Sequence, residues 1–75
     1  MYVSVKYERD GKWGTQEYTY YSKLNLFPGQ AVIAPTVNNP NQLAIVSQTN
    51  LPKPNFKCRE ITEVWSAETG EIADV

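Results

Sequence analysis

The stretch FPGQAVIAP, residues 27–35, decides how we expect the chain to fold. Pro28 fixes φ at about −65° in the second position of a tight turn, and Gly29 can adopt the positive φ that the third position requires. The turn leads directly into four apolar residues, which are closed by Pro35 and are too few for a helix. We therefore predict a turn followed by a short buried strand.

A second apolar run, LAIVSQ at residues 43–48, predicts the strand that pairs with the first. It carries the β-branched pair Ile45 and Val46, which favours a strand. Residues 36–42, TVNNPNQ, are rich in turn-forming residues and connect the two runs. Both strands should be buried, with either Val32 or Ile33 pointing into the core.

The N-terminal part of the chain predicts a β-hairpin. Residues 2–7 alternate with period two, which places two valines and Tyr7 on one face. Asp10-Gly11 is a strong signal for a tight hairpin turn. The returning strand is expected within residues 15–21, where aromatic and β-branched side chains are dense.

The C-terminal part is harder to interpret. Two prolines within residues 49–55 deny backbone donors and predict an unpaired crossover loop. Residues 56–65 fit both a helical stripe and strand alternation. We predict a strand, because Thr-Gly at residues 69–70 suits the turn of a terminal hairpin. The acidic segment 66–75 is accordingly interpreted as part of a terminal hairpin or as a flexible tail.

The order of these elements resembles the middle of SH3-like small β-barrels. There, a Pro-Gly or Val-Gly turn introduces a strand with a valine two or three residues on, as in LFPGQAVIAP before LAIV. The resemblance covers residues 24–48 and implies a module of bacterial or phage type, either appended to a larger machine or acting as an accessory protein by binding. Gln30 stands where an acidic residue is more usual, which leaves the subfamily open.

We predict a single all-β domain over residues 1–75, a small partly open SH3-like barrel of five or six short antiparallel strands. An OB-like barrel is the alternative. A chain of 75 residues can build one modest core. The residues expected there are Val3, Val5, Tyr7, Leu26, Val32, Ile33, Leu43, Ile45, Val46 and Ile61.

The residue inventory argues against catalysis. The chain has no histidine, and its single cysteine, Cys58, is flanked only by Lys57 and Arg59. Nucleophilic catalysis needs a base beside the nucleophile, and acid–base catalysis near neutral pH commonly uses histidine. The five acids of residues 60–75 match no calcium-loop spacing. We therefore expect no enzymatic activity, no catalytic residue, no metal and no cofactor.

Charge and hydropathy give an expected location. No apolar run exceeds four residues, so we infer neither a signal peptide nor a membrane span and expect a cytoplasmic protein with no membrane partner. The net charge of −1 is unevenly distributed, since all seven Lys and Arg lie in residues 1–59. Residues 60–75 carry five acids and no base, which is consistent with two solvated surfaces of opposite sign.

Recognition is the function class that remains. We expect a protein partner, bound through the first hairpin and its Trp13, because a large ring at a loop tip is less readily explained by the core. Weak self-association through an edge strand belongs to the same class. Single-stranded or duplex nucleic acid is the alternative, although the sequence pI of about 5.2 opposes it. The candidate contact residues are Tyr2, Lys6, Arg9, Lys12, Trp13, Tyr18, Tyr20 and Trp65, and Lys53, Lys57 and Arg59 would extend a nucleic-acid surface.

Overall fold

The computed structural model describes residues 1–66 and 71–73. They form strands and turns, and they include no helix that could cross a membrane. The prediction of an all-β chain is confirmed. The strands are β1 (Tyr2–Arg9), β2 (Lys12–Trp13), β3 (Tyr18–Tyr21), β4 (Ala31–Ile33), β5 (Leu43–Leu51), β6 (Glu63–Ser66) and β7 (Glu71–Ala73).

These strands form one antiparallel sheet in the order β2-β1-β5-β4-β6-β7, with β3 also paired to β1. β5 lies along one edge of β1, and β2 and β3 follow one another along the other edge. The register between β1 and β5 shifts on both sides of Ser4. Bulges of this kind increase the local twist, which bends the sheet around its core.

The first hairpin has the predicted turn. Arg9 pairs with Lys12, so Asp10 and Gly11 are the two turn residues, and both have positive φ, 52° and 78°. That is the geometry of a type I′ turn. The returning strand is interrupted after Trp13 and resumes at β3.

The Pro-Gly turn is also confirmed. Gly29 has a φ of 91°, and the N–H of Gln30 donates to the carbonyl oxygen of Phe27 at 3.1 Å. The N–H of Gly29 itself donates to the carbonyl of Val46 at 2.8 Å, which attaches the turn to β5. The turn therefore sets the register in which β4 pairs with β5.

The core lies on one face of the bent sheet. Six of the ten predicted positions belong to its buried cluster, and the cluster also contains Tyr20, Ala34 and Ala44. Leu43 and Ile45 were expected there but are only half-buried, because Ala44 and Val46 occupy the inward-facing positions of β5. Tyr7 packs at the edge of the cluster, and Ile33 is buried outside it. The six shared positions are Val3, Val5, Leu26, Val32, Val46 and Ile61.

The strand predicted over residues 56–65 is shorter than expected. Regular pairing begins at Glu63, and before it only Glu60 makes an isolated bridge, parallel to Tyr21. Pro52 and Pro54 lie in an unpaired loop, as predicted. β6 pairs antiparallel with β7, whereas the Thr-Gly turn predicted between them falls on residues 67–70, outside the described residues.

The sheet remains open in the described part of the chain. The segment before β6 meets the free edge of β3 at one residue only: the N–H of Tyr21 donates to the carbonyl of Arg59, and the N–H of Ile61 donates to the carbonyl of Tyr21, both at 2.9 Å. The rest of the β3 edge faces a cleft.

Candidate functional site

An open cleft of about 760 Å³ lies beside the free edge of β3. The loop of residues 36–42 and the segment of residues 56–59 form its two walls. Its lining is Tyr7, Arg9, Glu17, Tyr18, Thr19, Tyr20, Thr36, Val37, Asn38, Asn39, Gln42, Phe56, Lys57, Cys58 and Arg59.

Three tyrosines from the first hairpin region form the floor of the cleft. The rings of Tyr7 and Tyr18 stack at 4.3 Å between centroids, and Tyr20 meets Tyr7 edge to face at 6.4 Å. The Tyr20 hydroxyl donates to the carbonyl of Pro35 at 2.8 Å, so the Tyr7 hydroxyl, 2.7 Å away, donates to Tyr20. Burial raises the pKa of Tyr20, and the hydrogen bond to Tyr7 raises it further. The Tyr20 ring is thus held in place by hydrogen bonds and by its contact with Tyr7.

The loop of residues 36–42 is held in place by its own turn and by β1. The Thr36 hydroxyl accepts from the N–H of Asn39 at 2.9 Å, and the Asn39 side chain accepts from the N–H of Asn41 at 3.0 Å. The side-chain amide of Gln42 donates to the carbonyl of Glu8 at 3.0 Å. These bonds present the Val37 side chain, which is 79% exposed, at the rim.

The opposite wall follows the proline-containing loop. Phe56 is 59% exposed and lines both this cleft and a smaller hollow of about 320 Å³, which also contains Tyr2. The carbonyl of Arg59 accepts a hydrogen bond from the N–H of Tyr21, which fixes the C-terminal end of the segment of residues 56–59. Two exposed apolar side chains, Val37 and Phe56, therefore line the same concavity although they come from different loops.

The cleft carries an excess of positive charge. Arg9, Lys57 and Arg59 line it, and Glu17 is the carboxylate among its lining residues. A hydrogen bond from the Ser4 hydroxyl at 2.7 Å holds the pKa of Glu17 below its ordinary value. The lining therefore carries three cationic side chains against one carboxylate, which favours an acidic ligand.

Only some of the residues predicted as a contact surface line the cleft. Arg9, Tyr18 and Tyr20 line the cleft, whereas Lys6, Lys12, Trp13 and Trp65 do not. Tyr20 is buried, 3% exposed, because its hydroxyl reaches inward to the backbone beyond β4. Trp13 is 43% exposed at the hairpin tip, and Trp65 is half-buried in β6.

Sequence reasoning missed Val37 and Phe56 as site residues. Each lies in a turn-rich loop, and the two are 19 positions apart in the sequence. For Val37 the usable signal was a large apolar residue in a segment that has no strand pattern to bury it, whereas Phe56 was assigned to the strand predicted over residues 56–65.

The cleft combines cationic, amide and exposed apolar side chains. Among the described residues, no three His, Cys, Asp or Glu side chains come together as a metal site. Comparison with protein-family models, with curated proteins and with solved structures finds no match for the chain. Function therefore has to be argued from the cleft itself.

Proposed function

We propose that the chain is a non-catalytic protein-binding module of the cytoplasm, with the cleft beside β3 as the surface that receives a segment of its partner. The observation that carries this proposal is the pair of exposed apolar side chains that line one cleft, Phe56 and Val37. Exposed apolar groups in a concavity gain free energy when a ligand removes them from water. A chain segment that fills the cleft would bury both.

Polar groups in the cleft suit a polypeptide ligand. Asn38 contributes an exposed side-chain amide to the lining, and an amide can both donate to and accept from a peptide backbone.

The absence of catalysis is supported by the way the reactive groups are used. The Tyr20 hydroxyl is hydrogen-bonded to backbone and to Tyr7, and burial raises its pKa. Cys58 lies beside Lys57 and Arg59, and the whole chain has no histidine to act as its base.

Nucleic acid is the second candidate, favoured by the three cations of the cleft. Two observations favour a protein partner over nucleic acid. Tyr7 and Tyr18 stack on each other, so each ring has one face already covered, whereas base stacking needs free faces. Three cations also supply fewer phosphate contacts than the six to ten of a typical strong electrostatic binder.

Selection from a random dodecapeptide library on the purified chain tests the proposal. We expect selected peptides to bind the wild-type protein and to lose about tenfold or more in affinity with Phe56→Ala. Trp13→Ala is the matched control, because Trp13 is an exposed aromatic residue outside the cleft. Bound peptide should also slow alkylation of Cys58, the single thiol of the chain, since Cys58 lines the cleft.

Two results would overturn the proposal. One is selection of peptides whose affinity is reduced by Trp13→Ala and not by Phe56→Ala. The other is failure to select any peptide while a dodecamer of deoxythymidylate binds with a steep salt dependence, which would move the assignment to nucleic acid.

A further inference from the structure

Thr19 occupies a position of β3 whose backbone groups point away from the sheet. At the end of the β1–β3 ladder, the Met1 amine donates to the carbonyl of Ser22 at 2.7 Å, and the N–H of Ser22 donates back to Met1 at 2.8 Å. Hydrogen-bonded and non-hydrogen-bonded pairs alternate along an antiparallel ladder. Because Ser22 forms a hydrogen-bonded pair with Met1, Tyr20 also bonds to β1. The alternate residues Tyr21 and Thr19 direct their N–H and C=O groups outward.

The hydrogen bonds of Tyr21 agree with this alternation. Both of its outward groups are used, by the carbonyl of Arg59 and the N–H of Ile61. In the part of the chain that the structure describes, the outward N–H and C=O of Thr19 have no such backbone partner. Thr19 instead lines the cleft.

The covering segment departs from β3 just where the cleft begins. Glu60 is bridged to Tyr21 in parallel orientation, but the residues before Arg59 turn away and form a wall of the cleft. The β3 edge is therefore covered at its end and open beside Thr19. An incoming extended segment could use the same kind of backbone bonds there that residues 59–61 use at Tyr21.

The charges around this edge indicate which segment would bind. Arg9, Lys57 and Arg59 line the cleft together with Thr19, and Glu17 is the carboxylate among the lining residues. We propose that the cleft binds an extended acidic peptide, which adds a strand beside β3, pairs with the N–H and C=O of Thr19, and places its carboxylates beside these three cations. This inference rests on the proposed protein-binding function and specifies its ligand.

A capped octapeptide that alternates Glu and Val is the probe, because its carboxylates share one face of the strand. We expect it to bind the wild-type protein, and we expect the matching Lys-Val octapeptide to bind at least about tenfold more weakly. Two further peptides have methylated backbone nitrogens, one peptide at every Glu and the other at every Val. Only alternate residues of a strand bond to one neighbour, so one N-methylated peptide should lose binding and the other should retain it.

A protein variant tests the same bond from the other side. Thr19→Pro removes the outward N–H without removing a ladder bond to β1, whereas Thr19→Val keeps that N–H. We expect Thr19→Pro to weaken binding about fivefold or more relative to Thr19→Val. If Thr19→Pro fails to fold, the wild-type amide is the readout: saturating Glu-Val peptide should slow hydrogen exchange at Thr19.

Several outcomes would overturn the acidic-strand inference: equal affinity of the Glu-Val and Lys-Val peptides, equal tolerance of both N-methyl patterns, or unchanged exchange at Thr19. If library-selected peptides still require Phe56 in that case, protein binding stands and only the strand geometry fails. If a deoxythymidylate dodecamer displaces every peptide and binds more tightly, both conclusions fail.

Discussion

The Tyr20 hydroxyl donates a hydrogen bond of 2.8 Å to the carbonyl oxygen of Pro35. This bond joins β3 to the chain just beyond β4, two elements that are not neighbours in the sheet. It links the floor of the cleft to the base of the loop that forms one wall.

Tyr20→Phe should therefore destabilise the protein by about 1–2 kcal/mol, since it leaves the Pro35 carbonyl and the Tyr7 hydroxyl without their partner. Urea denaturation measures the effect. Tyr21→Phe is the matched control, because in the described part of the chain the Tyr21 ring packs on Tyr2 without a hydroxyl bond. A loss as large in Tyr21→Phe would contradict this explanation.

Gly29→Val should destabilise the chain by about 1–3 kcal/mol, because a β-branched residue is strained at a φ of 91°. A Cβ at this position meets nothing within 4 Å, so the cost is backbone strain and not crowding. Gly29→Ala separates the two effects and should lose most of the same free energy. An unchanged melting temperature in both variants would show that the turn tolerates the left-handed region without glycine.

Ser4→Ala should raise the pKa of Glu17, because the Ser4 hydroxyl is the main cause of its lowered value. Titration of the Glu17 side chain by NMR measures this. Lys6→Gln should have a smaller effect, since Lys6 contributes least among the causes. A carboxyl whose pKa is lowered on folding contributes stability above its unfolded pKa and loses it as pH falls through the folded value. The Ser4–Glu17 contribution should therefore disappear under acidic conditions, and a flat pH dependence in the difference between wild type and Ser4→Ala would contradict it.

The amide of Thr19 should exchange with deuterium at least about tenfold faster than that of Tyr20 in the free protein. Tyr20 bonds inward to β1, whereas the N–H of Thr19 points into the cleft. Hydrogen exchange followed by NMR compares these two adjacent residues directly. Similar protection of both amides would mean that the edge of β3 is already covered.

The parts of the fold that sequence reasoning predicted are those with local causes. The Asp10-Gly11 and Pro28-Gly29 turns depend on the φ preferences of the turn residues themselves, so they are visible in four-residue windows. Strand existence follows from short-range alternation and β-branching. The all-β class follows from these elements together.

The predictions were wrong or incomplete where residues distant in sequence determine which face of a strand is buried or which loops lie close together. In β5, Leu43, Ile45 and Val46 were all assigned to the core, but the register with β4 turns Ala44 and Val46 inward and leaves Leu43 and Ile45 half-buried. The cleft could not be predicted, because its walls come from residues 36–42 and 56–59, which meet only after the sheet has formed. Hydrophobicity alone does not show which loops converge.

The uncovered part of the β3 edge is too short and too charged to promote aggregation. Exposed strand edges can template the addition of further chains, and long flat edges are the most prone to aggregate. Here β3 has four residues, its end at Tyr21 is occupied by residues 59–61, and cations line the remaining gap. A second copy approaching with its own β3 edge would bring like charges together, so this edge should not extend into a fibril.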